Sequence, residues 1–266
     1  MKIVIIGAGV MGSAYARAWI SHKLVAPTHL TVCDPDTKKL ARLRQKLKVR
    51  VSSDNAAVAK NANVILLAVK PQQMYSVLDE LKRSLHNNQL VISIAAGVNA
   101  RSIEKVLKNR QPVVRAMPNL PLTVGAGVTT WCANGYVTAI KLRMAERLLS
   151  AGAVIVKVPE RNLDAVTAIS GSGPGYVFAF ADALIKAARH LDLPPNVADI
   201  LVRNTLFGAG KILQGSKDAP ATLAQRVASK GGTTEAALQV LNRNKFNTII
   251  QQAMRAAVKR AKESRI

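Results

Sequence analysis

Acidic, aromatic and cysteine residues are all scarce in this chain. Only 15 of 266 residues are Asp or Glu against 38 Lys or Arg, a formal net charge of +23. Aromatics make up 4%, so the core rests on Ala, Val, Leu and Ile, and an aromatic platform for single strands or sugars is disfavoured. The two cysteines, Cys33 and Cys132, lie far apart without C-x-x-C spacing, which excludes a disulfide scaffold and a cysteine-rich zinc module. His22, His29, His86 and His190 form no H-E-x-x-H pair and no cluster with carboxylates or cysteines, so a catalytic metal has no signature. A G-x-S-x-G elbow and a phosphate-loop lysine motif are also missing. The apolar run at residues 3–6 is cut by Gly7, too short for a signal peptide. ANVILLAV (62–69), among the longest apolar runs, falls far short of the roughly 18 residues a membrane span needs. The chain reads as soluble and cytoplasmic.

Hydrophobic residues supply 49% of the sequence, enough to bury the core of one large domain or two moderate ones. The basic excess is spread along the chain: residues 1–150 hold 22 basic and 7 acidic residues, residues 151–266 hold 16 and 8. Its densest stretch, Lys38, Lys39, Arg42, Arg44, Lys46, Lys48 and Arg50, reads first as a solvated helix face and second as a source of phosphate contacts. Diffuse basicity of this kind is a weak warrant for nucleic-acid binding as the main function.

Through residue 158, short β-branched runs alternate with amphipathic segments. KIVII (2–6), HLTVC (29–33), NVILLAV (63–69) and LVISI (90–94) each precede a helical pattern, the last from 99 to 109. Such continuous apolar strands are what a parallel sheet covered on both faces requires. PVVRAM (112–117), GVTTW (127–131) and AVIVKV (153–158) read as further strands, with a helix over 136–150. Beyond Pro159 only helical patterns occur, at 161–168, 174–191, 195–213, 219–227, 234–243 and 245–264. The expected architecture is α/β: a Rossmann-type doubly wound sheet over 1–158, then an all-helical domain over 159–266.

The first chemical motif is Gly7-Ala8-Gly9-Val10-Met11-Gly12. It follows a strand, opens a helix, and has Asp34 at the end of the next strand. In that context G-x-G-x-x-G is the dinucleotide fingerprint: Gly7 for the tight turn, Gly9 for close approach to pyrophosphate, Gly12 for helix-on-strand packing. Asp34 can accept from the ribose hydroxyls of NADH and would repel a 2′-phosphate, whereas Lys38, Lys39 and Arg42 could reach one. The balance leans slightly to NADH, with both cofactors expected to work. Ala68-Val69-Lys70-Pro71 and the segment around Ala96 fall where strands end, on the ligand side of an open α/β sheet. Lys70 is either a cation for pyrophosphate or ribose, or an ordinary loop lysine. Asn55 reads first as a helix N-cap and second as an adenosine-side donor. In the helical half, Ser170-Gly171-Ser172-Gly173-Pro174-Gly175 and Ser229-Lys230-Gly231-Gly232-Thr233-Thr234 are glycine-lined helix starts that could take a carboxylate. Plain capping is the alternative.

Six segments together resemble the pyrroline-5-carboxylate reductase family: GAGVMG (7–12), AVKPQ (68–72), SIAAG (93–97), RAMPNLP (115–121), AISGSGPGYVFAF (168–180) and VASKGGTTEAAL (227–238). The resemblance spans nearly the whole chain. It implies NAD(P)H-dependent hydride transfer to the cyclic imine 1-pyrroline-5-carboxylate, giving L-proline in the last step of proline biosynthesis. It also implies a homodimer through the helical domain, larger assemblies of dimers, and an active site at the dimer interface. Carried over by position, Gly7 to Gly12, Asn55, Ala68, Lys70 and Ala96 match cofactor contacts, and Ser229, Gly232, Thr233 and Thr234 match the substrate loop. Gly231 sits within that loop, and Thr234 corresponds to the hydroxyl that meets the ring nitrogen. Lys230 stands where many relatives have proline, and Lys217-Asp218 is not carried over as the acidic position some relatives have before the loop. The resemblance does not explain the charge of +23. Two rivals remain: a β-hydroxyacid-type dehydrogenase, which would want a lysine such as Lys186 nearer a glycine-rich segment, and a non-catalytic nucleotide or nucleic-acid-binding protein.

Overall fold

The computed structural model describes residues 1–107 and 110–263. The expected helix end at Asn109 and the last position of the expected final helix, 264, lie outside them. The β-branched runs form strands β1 (Ile3–Ile6), β2 (Leu30–Cys33), β3 (Arg50–Ser52), β4 (Val64–Leu67), β5 (Leu90–Ser93), β6 (Val113–Pro118), β7 (Gly127–Ala133) and β8 (Ala153–Lys157). They make one sheet in the order β3-β2-β1-β4-β5-β6-β7-β8. The strands of β1, β4 and β5 are buried at every position, as a sheet with helices on both faces demands.

Helices α1 (Val10–Ser21), α2 (Thr37–Leu47), α3 (Asn55–Ala59), α4 (Met74–Leu81), α5 (Ala100–Leu107) and α6 (Ala139–Leu149) surround this sheet. One core layer joins Ile3, Ile5, Leu66 and Ile92 to Tyr15 and Trp19 of α1 and to Leu148 and Leu149 of α6. The other joins Val4, Ile65, Leu67 and Val91 to Met74, Leu78 and Leu81 of α4 and Ile103 of α5. The two large polar aromatics of α1 are satisfied: Trp19 donates its indole N–H to the Leu148 carbonyl at 2.8 Å, and the Tyr15 hydroxyl lies 3.2 Å from Thr129 Oγ1. Burial pushes the Tyr15 phenol above its ordinary pKa, so it stays protonated.

The sheet departs from the all-parallel expectation at one place. β6 and β7 are antiparallel, and β8 runs parallel to β7. The reason is chain length. A parallel return needs a crossover of a dozen or more residues, and the link between β6 and β7 covers only 119–126, with a 3₁₀ turn at Leu120–Val124.

The expected helix over 161–168 is three kinds of turn in succession: a 3₁₀ turn at Glu160–Asn162, α7 (Leu163–Val166), and a π-helical turn at Thr167–Gly171. The remaining helices are α8 (Gly173–His190), α9 (Pro195–Gly215), α10 (Pro220–Val227), α11 (Thr233–Arg243) and α12 (Phe246–Glu263). Two compact units result: Met1–Ser172 with the chain from Ala257 onward, and Gly173–Ala256. The sequence boundary at 158/159 therefore precedes the structural one at 172/173. Residues 159–172 stay with the sheet because Glu160 accepts from Arg115 Nη1 of β6 at 2.7 Å and from the Ala100 N–H at 2.8 Å. Leu163 and Ala168 of this stretch are buried as well. Among the described residues, no helix is long and apolar enough to cross a membrane.

Candidate functional site

The order of strands reverses between β1 and β4: β2 and β3 lie to one side of β1, β4 and β5 to the other. A crevice opens beyond the carboxyl ends of strands at such a switch point. Here it is a cleft of about 650 Å³, lined by Gly7 and Gly9 after β1, Cys33 to Asp36 at β2, Ser53 and Asn55 after β3, and Ala68, Val69 and Lys70 after β4.

The glycine turn fits this place for steric reasons. Gly7 has φ +107, and a Cβ on it would meet the Ala68 carbonyl oxygen at 2.5 Å. A Cβ on Gly12 would come within 1.9 Å of the Gly7 carbonyl oxygen, so helix and turn close only with glycine. Gly9 differs: a Cβ there has nothing within 4 Å. Its need for glycine would arise from a ligand. Gly9 is also the N-cap of α1, with no side chain capping the helix and no acidic residue in its first turn. Bare N–H groups and the positive end of the helix dipole thus stand open beside the cleft, as a pyrophosphate requires. Open space at Gly9 and an uncapped helix start are what a nicotinamide dinucleotide would need.

Ala8 is buried and donates its N–H to Asp34 Oδ2 at 2.7 Å, while the Asp36 N–H donates to Asp34 Oδ1 at 2.9 Å. Asp34 therefore staples the first turn to the end of β2 as well as lining the cleft. Val10 and Met11 form the first turn of α1 and are not part of the lining. Pro71 opens a 3₁₀ turn behind Lys70, and Ala96 lies in the turn after β5, outside the lining. The cap reading of Asn55 is corrected: Asp54 caps α3 by accepting from the Ala57 N–H at 2.9 Å. Asn55 instead donates to Glu80 Oε2 at 2.8 Å across the cleft. Cys33 also reaches the lining, but burial pushes its thiol up to about 12, so it is no nucleophile.

Several lining residues were not singled out by the sequence; among them Asp36, Ser53 and Glu80 carry polar groups into the cleft, while Gln72 of the AVKPQ segment extends the turn after Lys70. Asp36 was readable in principle, because an acid before Thr37-Lys38-Lys39 is a helix-capping pattern. Glu80 sits at the end of α4 and carries no local signal.

The second set lies in the helical unit. Gly231 has φ +73, which suits glycine. Gly232 is the N-cap of α11, and a Cβ there would meet Ser229 Oγ at 2.5 Å. No side chain caps this helix start. Glu235 reaches back to accept the Gly231 N–H at 2.6 Å, which holds the loop in shape. Thr233 and Thr234 are the first two residues of α11, and Ser229 and Lys230 are exposed before it. The Lys217-Asp218 pair does not join this loop; Asp218 accepts from Arg226 Nη1 at 2.5 Å and from its own neighbour Ser216. Lys186 pairs with Asp182 along α8 at 2.6 Å, on an exposed face.

Comparison with known proteins agrees with this layout. Residues 160–264 match the family model for pyrroline-5-carboxylate reductase dimerisation, and residues 2–97 match one described as NADP oxidoreductase coenzyme F420-dependent. A pyrroline-5-carboxylate reductase of Synechocystis sp. is 40% identical over 99% of this chain and 98% of its own, and that of Methanosarcina acetivorans is 36% identical over 98% and 97%. The structure of the Coxiella burnetii enzyme superposes with a TM-score of 0.93 at 37% identity, covering 100% of this chain and 98% of that one. A Plasmodium falciparum pyrroline carboxylate reductase with NADP bound gives 0.89 at 29%, covering 99% and 98%. With that identity sustained over essentially its whole length, the chain belongs to the pyrroline-5-carboxylate reductase family.

Proposed function

We propose that this protein reduces 1-pyrroline-5-carboxylate to L-proline with NADH or NADPH, as an oxidoreductase acting on a carbon–nitrogen double bond. The observation that carries this reading is the uncapped start of α1 opening on the switch-point cleft, in a chain similar to such reductases from end to end. When bound, the reduced nicotinamide supplies the hydride.

The residues divide the remaining work. Gly7, Gly9 and Gly12 allow close approach of backbone, and the N–H groups of Val10 and Met11 face the pyrophosphate. Asp34 and Asn55 serve the ribose and adenosine side, and Ala68, Val69, Lys70, Pro71 and Ala96 shape the side toward β4 and β5. Ser229, Gly231, Gly232 and Thr233 hold the substrate carboxylate through the open start of α11, where N–H groups and dipole favour an anion. Thr234 meets the ring nitrogen. A protonated imine is already a good acceptor, so orientation matters more than a strong acid, and it can be worth several kcal/mol.

The helical domain pairs with a second copy to complete the site, in a homodimer that can build larger assemblies. The two cysteines are free and buried, which fits a reducing compartment, and the cytoplasm is the one proposed. Following nicotinamide absorbance with pyrroline-5-carboxylate, using NADH and NADPH in turn, tests the reading. Turnover with production of proline is expected; no oxidation of either cofactor overturns it.

A further inference from the structure

The cleft lining carries more carboxylates than cations in a strongly basic chain. Asp34, Asp36 and Glu80 face Lys39 and Lys70 in its lining, although the chain as a whole has 38 basic residues to 15 acidic. Placement sharpens the contrast. The first turn of α1 is left bare, but that of α2 is filled: Asp36 Oδ1 accepts from the N–H groups of Lys38 and Lys39 at 3.0 and 3.2 Å. Its Oδ2 stands 3.3 Å from Lys39 Nζ, and the side chain is 42% exposed. Lys39 also lies 4.0 Å from Asp34, so its charge is shared between two carboxylates. Lys38 and Arg42, offered by the sequence as phosphate ligands, are not part of the lining.

In dinucleotide folds the end of the second strand receives the adenosine ribose, and a 2′-phosphate, where there is one, needs a cation nearby. We propose that this site selects the dinucleotide without a 2′-phosphate, and that Asp36 is the residue that excludes the phosphorylated one. The inference rests on the reading of the cleft as the cofactor site. Asp36 acts as a resident anion: it holds the N–H groups that would otherwise welcome a phosphate, and it repels a group carrying a charge of about −2. Those same N–H groups keep its carboxyl below the usual range, so it remains ionised at neutral pH. NADP in the Plasmodium falciparum relative makes the selection a property of these side chains rather than of the fold.

Calorimetric titration of the full chain with NADH and with NADPH tests this, in wild type, Asp36→Ser and Asp36→Asn. Serine and asparagine both keep a capping acceptor for α2. Wild type is expected to bind NADH at least about tenfold more tightly than NADPH. Both variants should shrink that ratio by about tenfold, through a rise in NADPH affinity that NADH does not share. Competition by 2′,5′-ADP against 5′-AMP should shift in the same direction without any nicotinamide present. NADPH binding to wild type as tightly as NADH, or an unmoved ratio in both variants, overturns the selectivity alone. Failure of both dinucleotides to bind wild type overturns the cofactor reading and this inference with it.

Discussion

Ile3, Ile5, Ile65, Leu66 and Trp19 have no surface left in the sheet-bearing unit, where helices close both faces. In the helical unit, α8, α10 and α11 contain no buried residue, and Phe178, Phe207 and Ile212 are 59%, 63% and 63% exposed. Burying a side chain of this size contributes about 1.5–3 kcal/mol, so leaving so many open in a free chain is unfavourable. The inner strands of the first unit are covered by its own helices, while Val124, Val154 and Ile169 toward its far edge stay exposed. The second leaves most of its apolar side chains open, in agreement with its match to a dimerisation family. Cofactor recognition and subunit pairing should therefore separate under mutation.

The largest effect should come from Gly9→Val. The backbone at Gly9 tolerates a side chain and nothing protein-derived obstructs one, yet the branch would project where pyrophosphate approaches. Cofactor affinity is expected to fall by about a hundredfold or more in a fluorescence titration, with the oligomer unchanged by light scattering. Parallel loss of the oligomer would break the separation from one side. Phe207→Glu attacks it from the other: subunits should dissociate and turnover drop more than about tenfold, because a charge cannot be buried unpaired in an apolar interface. Dinucleotide affinity should survive in that variant.

Thr234→Ala is the next step down. It should lower kcat/KM at least about tenfold, or about 1.4 kcal/mol, with cofactor binding intact. Unchanged steady-state kinetics would remove Thr234 from its role. The smallest effect concerns pH. Backbone N–H groups at Lys39 and Lys38, with the Lys39 ammonium, hold the Asp36 carboxyl below its ordinary 3.8. A group depressed in the folded state stabilises fully above its unfolded pKa and loses that contribution as pH falls through the folded one. Asp36→Asn should thus melt slightly below wild type at pH 7, and the gap should close as pH drops below 3.8. A gap that persists in acid would assign the effect to something other than the charge.

Local pattern carried much of this fold. The apolar runs at 2–6, 63–69 and 90–94 read as strands of a sheet covered on both faces, and the turn from Gly7 to Gly12 announced its own helix. The helix start at Gly231-Gly232-Thr233-Thr234 was legible as well, and the structure adds the left-handed backbone of Gly231. The cap at α3 was misread by one residue because Asp54 and Asn55 are both good capping types. The boundary at 158/159 was read where strand patterns stop, while the packing of 159–172 depends on Arg115, 45 residues from Glu160.

Residue order alone thus determined most of the strands and helices, and where a phosphate could meet a bare helix end. Those features depend on neighbours within a turn or two. Tertiary structure decided that β7 turns back along β6, that both oxygens of Asp34 are engaged by backbone, and that Glu80 faces Asn55 in the cleft. Each of these follows from how strands lie side by side in the sheet, and that ordering brings together groups that no short-range periodicity connects.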